Sequence, residues 1–250
     1  MLMDINPYDE LYKQMDFINK PFGYSSDELM WITSKVKGEL ARYITTNGKI
    51  LDVGGGYGLM TKFLPDFVKK KNYVNMDISI VMLKHSPYQN VLAVAEQIPF
   101  RSASFDYVIL SEVLEHVNDK IKVLRECYRV LKSRGLLLLS TPREGWLSDF
   151  KRSYFLPFYL VSHIFSVVGS KLGLLKQQFQ IPDGVKDEYS NEMWLRESLE
   201  GIGFKVIEQY RANNILPWAN TGQGRFWHWF ADRFVDPKKW GHCTIVICAK

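Results

Sequence analysis

The chain has 250 residues, of which 46% are hydrophobic and 24% are charged, and this balance is typical of a globular protein with a real core. It excludes a disordered or low-complexity chain. The formal net charge of +5 is too modest to favour a dedicated nucleic-acid-binding protein, whereas an anionic substrate or a membrane surface stays open as a partner.

The cysteines and the N-terminus indicate the cellular compartment of the protein. The three cysteines, Cys127, Cys243 and Cys248, form neither a CxxC pair nor an even set, which argues against a metal ribbon or a disulfide framework and favours a reducing compartment. The opening segment MLMDINPYDEL carries acids and no apolar core, so it does not resemble a secretory signal. We therefore expect a cytoplasmic protein.

Hydrophobic periodicity predicts a helix first and then alternating strands and helices. The first helix is capped by Ser26 and runs to about Thr45. The elements expected next are a strand over Lys49 to Val53, a helix over Tyr57 to Lys71, a strand over Tyr73 to Met76 closed by Asp77, a short strand over Val91 to Val94 and a strand over Phe105 to Leu110.

The second half continues the alternation. Asp119 is predicted to cap a helix that buries Ile121, Leu124, Tyr128 and Leu131 and ends at Gly135. The remaining elements are the strand LLLLST, a helix over Asn191 to Ile202 broken by Gly203, and strands over Phe204 to Tyr210 and Cys243 to Ala249. Such alternation predicts an α/β fold with a parallel sheet and right-handed crossovers.

The segment ILDVGGGYG is an apolar run that ends in an acid and continues into a glycine-rich turn. Glycines after a first strand let a ligand lie against backbone N–H groups. The residues after Gly58 complete neither the phosphate loop GxxxxGK[ST] nor GxGxxG. Asp77 can accept hydrogen bonds from the two hydroxyls of a ribose, and Asp52 can help hold a cationic amino group. The pattern favours a ligand with a ribose, an amino acid end and no phosphate.

Five segments between about Lys49 and Pro142 resemble the class I S-adenosylmethionine-dependent methyltransferases, in particular the group typified by ubiquinone- and menaquinone-biosynthesis enzymes. They are ILDVGGGYG, NMDIS, AEQIPF, SFDYVILSEVLEHV and LLLLSTP. The resemblance implies S-adenosylmethionine as cofactor and a Rossmann-like, seven-stranded, mostly parallel sheet with the last strand antiparallel and helices on both faces. Residues 1–250 would form one domain, with residues 1–48 as a helical cap and 142–186 and 213–242 as substrate or lid insertions.

The resemblance also implies which residues contact the cofactor. They are Asp52, Gly54 and Gly56 at the methionine part, in a turn that includes Gly55 and Gly58; Asp77 at the ribose; Ile78 at the adenine face; Ala95 and Glu96 at the adenine edge; and Ser111 near the methionyl end. Many relatives have an acid where this chain has Val94. Glu96, Gln97 or the backbone must therefore receive the adenine amino group here.

His116 in SEVLEHV is the candidate catalytic base, and the alternative is a residue that bonds locally at a helix start. Glu112, Glu115 and His116 have the i, i+3, i+4 spacing of one helix face, and the resemblance associates such a set with a divalent metal. We predict no metal, although that alternative stays open. Tyr12 resembles a tyrosine that closes over the cofactor, or else packs on the core.

Both insertions are rich in apolar residues. Residues 151–176 are aromatic and apolar with basic flanks, which suits either a lid or a peripheral membrane contact. Residues 213–242 gather aromatic rings for a pocket or an oligomer interface. We predict methyl transfer to a small or lipid-linked acceptor at a hydroxyl, with no nucleic acid as partner. The alternatives are N-methylation of small amines and a cofactor-binding protein without catalysis.

Overall fold

A computed structural model describes residues 7–14, 36–144, 188–212, 241 and 243–250. Its strands form one seven-stranded sheet in the order β3-β2-β1-β4-β5-β7-β6. The strands are β1 Ile50–Val53, β2 Tyr73–Asp77, β3 Gln89–Leu92, β4 Phe105–Ser111, β5 Leu131–Pro142, β6 Lys205–Ala212 and β7 Cys243–Ala249. Neighbouring strands pair in parallel except at β7, which is antiparallel to β5 and β6. The predicted fold class, including the antiparallel last strand, is confirmed.

The helices begin and end at residues suited to those positions. They are α1 Pro7–Gln14, α2 at residues 36–41, α3 Ile80–Leu83, α4 Lys120–Val130 and α5 Glu192–Ile202. The Asp119 side chain accepts a hydrogen bond from Lys122 N at 2.9 Å, and Asn191 accepts one from Met193 N at 2.9 Å. Gly203 ends α5 with a left-handed φ of 114°. These three predicted boundary residues are confirmed.

The core lies on both faces of the sheet. On one face α4 and α5 bury residues such as Leu124 and Leu199 against the strands, and on the other face α2 buries Leu40. Successive strand side chains point to opposite faces, so Val108 joins the first cluster and Ile109 the second. Cys127, Cys243 and Cys248 are fully buried within these clusters. Strands covered on both faces explain the near-continuous apolar runs in the sequence.

The predicted helix over Tyr57 to Lys71 is wrong. The segment contains two 3₁₀ turns, Leu59–Lys62 and Lys70–Asn72, separated by turns and bends. Gly58 precedes the first turn in a left-handed conformation, and no side chain caps it. Pro65 has no N–H to donate to a helix and disfavours helical backbone at the residue before it. These two residues outweigh the apolar periodicity.

Two further elements and one buried helix face differ from those expected. The third strand is Gln89–Leu92 rather than Val91 to Val94, because Leu92 pairs with Asp77 where β2 ends. Helix α4 ends at Val130 instead of Gly135, since Leu131 is already extended and pairs with Phe105. The predicted buried face of α4 is wrong except at Leu124. The residues that α4 buries are Val123, Leu124, Cys127 and Val130.

Several predictions concern residues outside the described ranges. These are the helix start at Ser26, the aromatic group after residue 212 and the apolar segment 151–176. The membrane contact of residues 151–176 therefore stays a prediction. Tyr12 lies in α1, but its side chain is outside the described part. Across the ranges that are described, none of the helices has the length and apolar character needed to cross a bilayer.

Candidate functional site

The glycine turn after β1 brings bare backbone to the carboxyl edge of the sheet. Gly54 has a φ of 71°, and a Cβ added to it would lie 2.3 Å from Val113 Cγ2. The N–H groups of Gly54 and Gly55 both donate to Met76 O, at 2.7 and 3.1 Å, which ties the turn to β2. A side chain at Gly54 would therefore displace both the turn and the segment after β4.

Buried polar side chains of β1 and β2 lie next to this turn. A Cβ on Gly55 would lie 2.1 Å from Asn75 Oδ1, and Asn75 Nδ2 donates to Gly56 O at 2.7 Å. Asp52 is 1% exposed and accepts a hydrogen bond from the Tyr73 hydroxyl. Burial raises the pKa of Asp52. Neither Asn75 nor Tyr73 was predicted from the sequence, although an amide in the middle of a buried strand is a usable signal of a functional position.

Asp77 connects the end of β2 to the glycine turn. Its Oδ2 accepts a hydrogen bond from Gly56 N at 2.8 Å and its Oδ1 accepts one from Ser79 N at 2.8 Å. Burial raises the pKa of Asp77, while these N–H groups act in the opposite direction and the neighbouring Asp9 raises it further. The backbone N–H of Ile78 also bonds this carboxylate, and since a carboxylate has about four acceptor positions, the group keeps some acceptor capacity for hydroxyl donors.

Apolar side chains stand exposed beside Asp77. Ile78 is 42% exposed and Val94, which follows β3, is 40% exposed. Ala95 and Glu96 form the turn after Val94, and Glu96 Oε1 accepts a hydrogen bond from Asn118 N at 3.1 Å. Large apolar groups exposed next to a polar site are what a flat aromatic ring would cover.

The segment after β4 forms turns where a helical face was expected. Ser111 is buried, and its Oγ lies 2.9 Å from Ser140 Oγ. Glu112 has a left-handed φ of 56°, and His116 N donates to Val113 O in a single turn. The prediction that Glu112, Glu115 and His116 share one helix face is therefore wrong, because the backbone bends at Glu112 and the next helix begins at Lys120.

His116 lies beside a buried carboxylate and an aromatic ring. Its Nε2 lies 3.8 Å from Glu115 Oε1, and Glu115 is 3% exposed. Thr141 Oγ1 donates to Glu115 Oε2 at 3.3 Å, which fixes that carboxylate. The Tyr8 ring meets the imidazole edge-on, with centroids 5.9 Å apart. In the part of the chain that can be described, no three His, Cys, Asp or Glu side chains are grouped to hold a metal ion.

Helix α1 reaches both ends of the site. Asp9 Oδ1 accepts hydrogen bonds from Ser79 Oγ at 2.5 Å and from Val81 N at 3.3 Å, beside Asp77. One residue earlier, the Tyr8 hydroxyl donates to His116 O at 3.3 Å. Neither contact was predicted from the sequence, since partners that lie 70 and 108 residues away leave no periodic signal.

Comparison with known proteins shows which family this chain resembles. A model described as "Methyltransferase domain" matches residues 51–139, which include the glycine turn, Asp77 and His116. The chain is also 28% identical over 218 residues to the ubiquinone/menaquinone biosynthesis C-methyltransferase UbiE of Geotalea uraniireducens, covering 81% of this chain and 88% of that protein. The chain is a class I S-adenosylmethionine-dependent methyltransferase.

Two further comparisons concern its relatives. The methyltransferase is 26% identical over 179 residues to malonyl-[acyl-carrier protein] O-methyltransferase 1 of Coxiella burnetii, covering 67% of this chain and 61% of that protein. A solved S-adenosylmethionine-dependent methyltransferase from Archaeoglobus fulgidus aligns with a TM-score of 0.59 at 16% identity, over 94% of this chain and 98% of that chain. The structural alignment shows that this chain and the Archaeoglobus fulgidus protein share a fold.

The residues present fit the cofactor of this methyltransferase, which is S-adenosylmethionine. The glycine turn offers backbone without side chains, Asp77 offers acceptor oxygens, and Ile78 offers an exposed apolar surface. Although the whole chain has a net charge of +5, this edge of the sheet gathers carboxylates. They are Asp9, Asp52, Asp77, Glu96, Glu112 and Glu115. Such an edge favours a cationic sulfonium ligand.

Proposed function

We propose that this methyltransferase acts on a hydroxyl group of a small or lipid-linked acceptor, with His116 as the catalytic base. The observation that carries the proposal is the contact of His116 with the buried Glu115, 3.8 Å apart at the carboxyl end of β4. Ligands of open α/β sheets bind at this edge. The bound sulfonium supplies an already activated methyl group, so the protein has to orient the acceptor and receive one proton.

The roles proposed for the cofactor-binding residues follow from their positions. Asp77 accepts the ribose hydroxyls through its remaining lone pairs, and Ile78 packs on the adenine face. Asp52 acts from beneath the turn, since its side chain is closed off from solvent. The other proposed contacts are Gly54, Gly55, Gly56 and Gly58 along the backbone, Ala95 and Glu96 at the adenine edge, and Ser111 at the methionyl end.

His116 has the surroundings of a general base. In the proposal its imidazole accepts the acceptor's hydroxyl proton, and the Glu115 carboxylate orients the ring and stabilises the positive charge that forms. Glu115 is itself positioned by Thr141. A base of this kind contributes roughly 10²- to 10⁴-fold in rate. An acceptor without an acidic proton would not need it.

The names of the relatives support this acceptor class and also suggest a second acceptor atom, carbon. The Coxiella relative is named an O-methyltransferase, which supports oxygen as the acceptor atom. The Geotalea relative is named for ubiquinone and menaquinone biosynthesis, which supports a lipid-linked acceptor, but it is named a C-methyltransferase. Carbon is therefore the second candidate, and a base that ionises a ring hydroxyl would also activate the adjacent carbon.

The acceptor is tested with methyl-labelled S-adenosylmethionine and three sets of compounds: phenols and catechols, isoprenoid quinols, and small amines. Mass spectrometry and NMR of the products then locate the label. We expect methoxy products from hydroxyl acceptors. Label found solely on carbon or solely on nitrogen contradicts the proposal, and tight cofactor binding with no product from any set supports a protein without catalysis.

The base is tested with His116→Asn, with His85→Asn as the matched control because His85 is exposed and belongs to no part of the site. We expect turnover of the best hydroxyl acceptor to fall about 10²- to 10⁴-fold in His116→Asn while cofactor affinity stays within a few-fold. The control should retain full turnover. Near-normal turnover of His116→Asn across the pH range would remove His116 from the catalytic role.

A further inference from the structure

The edge of the sheet opposite the candidate site carries exposed cationic side chains. Strands β1, β2, β4 and β5 run in parallel, so their amino ends share one edge and the candidate site lies at the other. Lys69, Lys70 and Lys71 occupy the turn that leads into β2, and all three are exposed. Lys49, before β1, and Arg134, in β5, are exposed at the same edge.

The charge of these lysines is not compensated locally. No carboxylate of the described ranges forms an ion pair with Lys69, Lys70 or Lys71, and the ammonium group of Lys70 lies 5.9 Å from the centre of the Tyr88 ring. Asp106, an acid of this edge, is already engaged by Lys132 Nζ at 2.8 Å and by the backbone N–H of Lys49 at 2.8 Å. The three lysines therefore present their charge to solvent.

An aromatic ring is exposed on the same turn, which we call the basic turn and define as Pro65–Asn72. Phe67 is 48% exposed, and its neighbour Asp66 is the acid of this turn. Val68 N donates to Pro65 O at 2.9 Å, and Lys69 N donates to the Asn47 side chain at 3.0 Å. These hydrogen bonds fix the backbone of the turn, which carries both Phe67 and the three exposed lysines.

We propose that the basic turn docks the protein on an anionic lipid bilayer surface. Clustered lysines are attracted to anionic headgroups, and an exposed aromatic ring beside them can enter the interfacial region. A single exposed ring on a short turn suits a bilayer better than a nucleic acid strand, which needs a longer basic groove with several rings. Docking in this way directs the carboxyl edge, with His116, toward the aqueous side, which favours the small acceptor over the lipid-linked one. The inference does not depend on the acceptor proposed above.

The test is co-sedimentation with phosphatidylcholine vesicles that contain or lack phosphatidylglycerol. We expect the wild-type chain to bind only the anionic vesicles and to release as salt rises. The variant K69Q/K70Q/K71Q should bind about a hundredfold more weakly, since each lysine near an anionic surface contributes about fivefold. Phe67→Ser, which leaves the charge unchanged, should weaken binding several-fold.

The control is K84Q/K122Q/R125Q, which removes the same net charge from exposed positions elsewhere. It should bind the vesicles nearly as well as wild type, and thermal melting should show that every variant is folded. Equal losses in both triple variants would mean that net charge alone drives adsorption and would overturn the proposal. So would vesicle binding that survives K69Q/K70Q/K71Q, absence of vesicle binding in the wild type, or binding of the three lysines to RNA in place of vesicles.

Discussion

The Asp9 carboxylate accepts a hydrogen bond from the Ser79 hydroxyl at 2.5 Å, and this contact ties helix α1 to the residue that caps α3. Ser79 also donates its backbone N–H to Asp77, so one residue contacts both α1 and the proposed ribose acceptor. The position of α1 and the cofactor end of the site are therefore mechanically coupled. A change that loosens α1 should therefore disturb the cofactor end of the site, and the reverse should also hold.

Replacing Asp9 by alanine removes this tether. We expect amide hydrogen exchange in residues 7–14 to accelerate about tenfold, because a hydrogen bond to a charged group is lost. Asp9→Asn keeps an acceptor oxygen and should show a smaller effect. Exchange that is equal in wild type and Asp9→Ala would contradict the coupling.

Replacing Asp77 by asparagine should weaken S-adenosylmethionine binding by about tenfold or more, since a carboxylate acceptor becomes a neutral amide with fewer acceptor positions. Burial raises the pKa of Asp77, so wild-type affinity should fall on acidification at a pH above the ordinary aspartate range, whereas Asp77→Asn should lack that step. Titration calorimetry at several pH values measures both effects. Asp106→Asn, at the opposite edge, is the control, and unchanged affinity of Asp77→Asn would remove the ribose assignment.

Replacing Gly54 by alanine should destabilise the fold by about 1–3 kcal/mol and impair cofactor binding. The residue has a φ of 71°, and the new Cβ would meet Val113 at 2.3 Å. Gly201→Ala provides the comparison, because Gly201 lies inside α5 with no atom within 4 Å of its added Cβ. That change should stabilise the protein by about 0.5–1 kcal/mol. Urea unfolding compares the two, and equal stabilities would show that the turn tolerates a side chain.

Glu126 and Arg129 hold the segment that follows the proposed adenine edge. Glu126 Oε2 accepts a hydrogen bond from Ile98 N at 2.8 Å, while Arg129 donates to Ile98 O at 2.9 Å and to Glu126. Hydrogen bonding from Arg129 holds the pKa of Glu126 below its ordinary value. The stabilisation is therefore present above the unfolded-state pKa of glutamate and is lost as the pH falls through the lower folded-state pKa.

We accordingly expect Glu126→Gln to lose about 1–2 kcal/mol of unfolding free energy at neutral pH. The difference from wild type should shrink as both proteins are taken to acid. Glu200→Gln is the matched control, since Glu200 pairs with Arg196 on the exposed surface and should change stability by less than about 0.5 kcal/mol. Urea unfolding across pH measures this, and a gap between wild type and Glu126→Gln that persists in acid would argue against the ion pair as its source.

The parts of the fold that the sequence predicted are those with local signals. The buried runs of β1, β2, β4 and β7 and the boundary residues Asp119, Asn191 and Gly203 each depend on a few adjacent residues. The glycine turn and Asp77 were found for the same reason, because they lie at the ends of strands. Their contact at 2.8 Å follows from the parallel pairing of β1 with β2.

The parts that were missed depend on tertiary contacts or on backbone exceptions. Apolar spacing suggested a helix after Gly58, but Pro65 and a left-handed glycine interrupt it. The bend at Glu112 has a φ of 56°, which its residue type does not predict. The position of Tyr8 beside His116 brings together residues 108 apart, and only the folded chain shows that they meet.

Because the three cysteines are buried, the labelling of their thiols can report local or global unfolding of the protein. Burial raises the pKa of Cys127 and of Cys248 to about 12 each, and that of Cys243 well above its usual range. An alkylating reagent needs a thiolate it can reach, so the native chain should stay unlabelled until it opens. Cys127 lies on α4 and the other two on β7, so mass-resolved labelling would distinguish loss of one helix from collapse of the whole sheet.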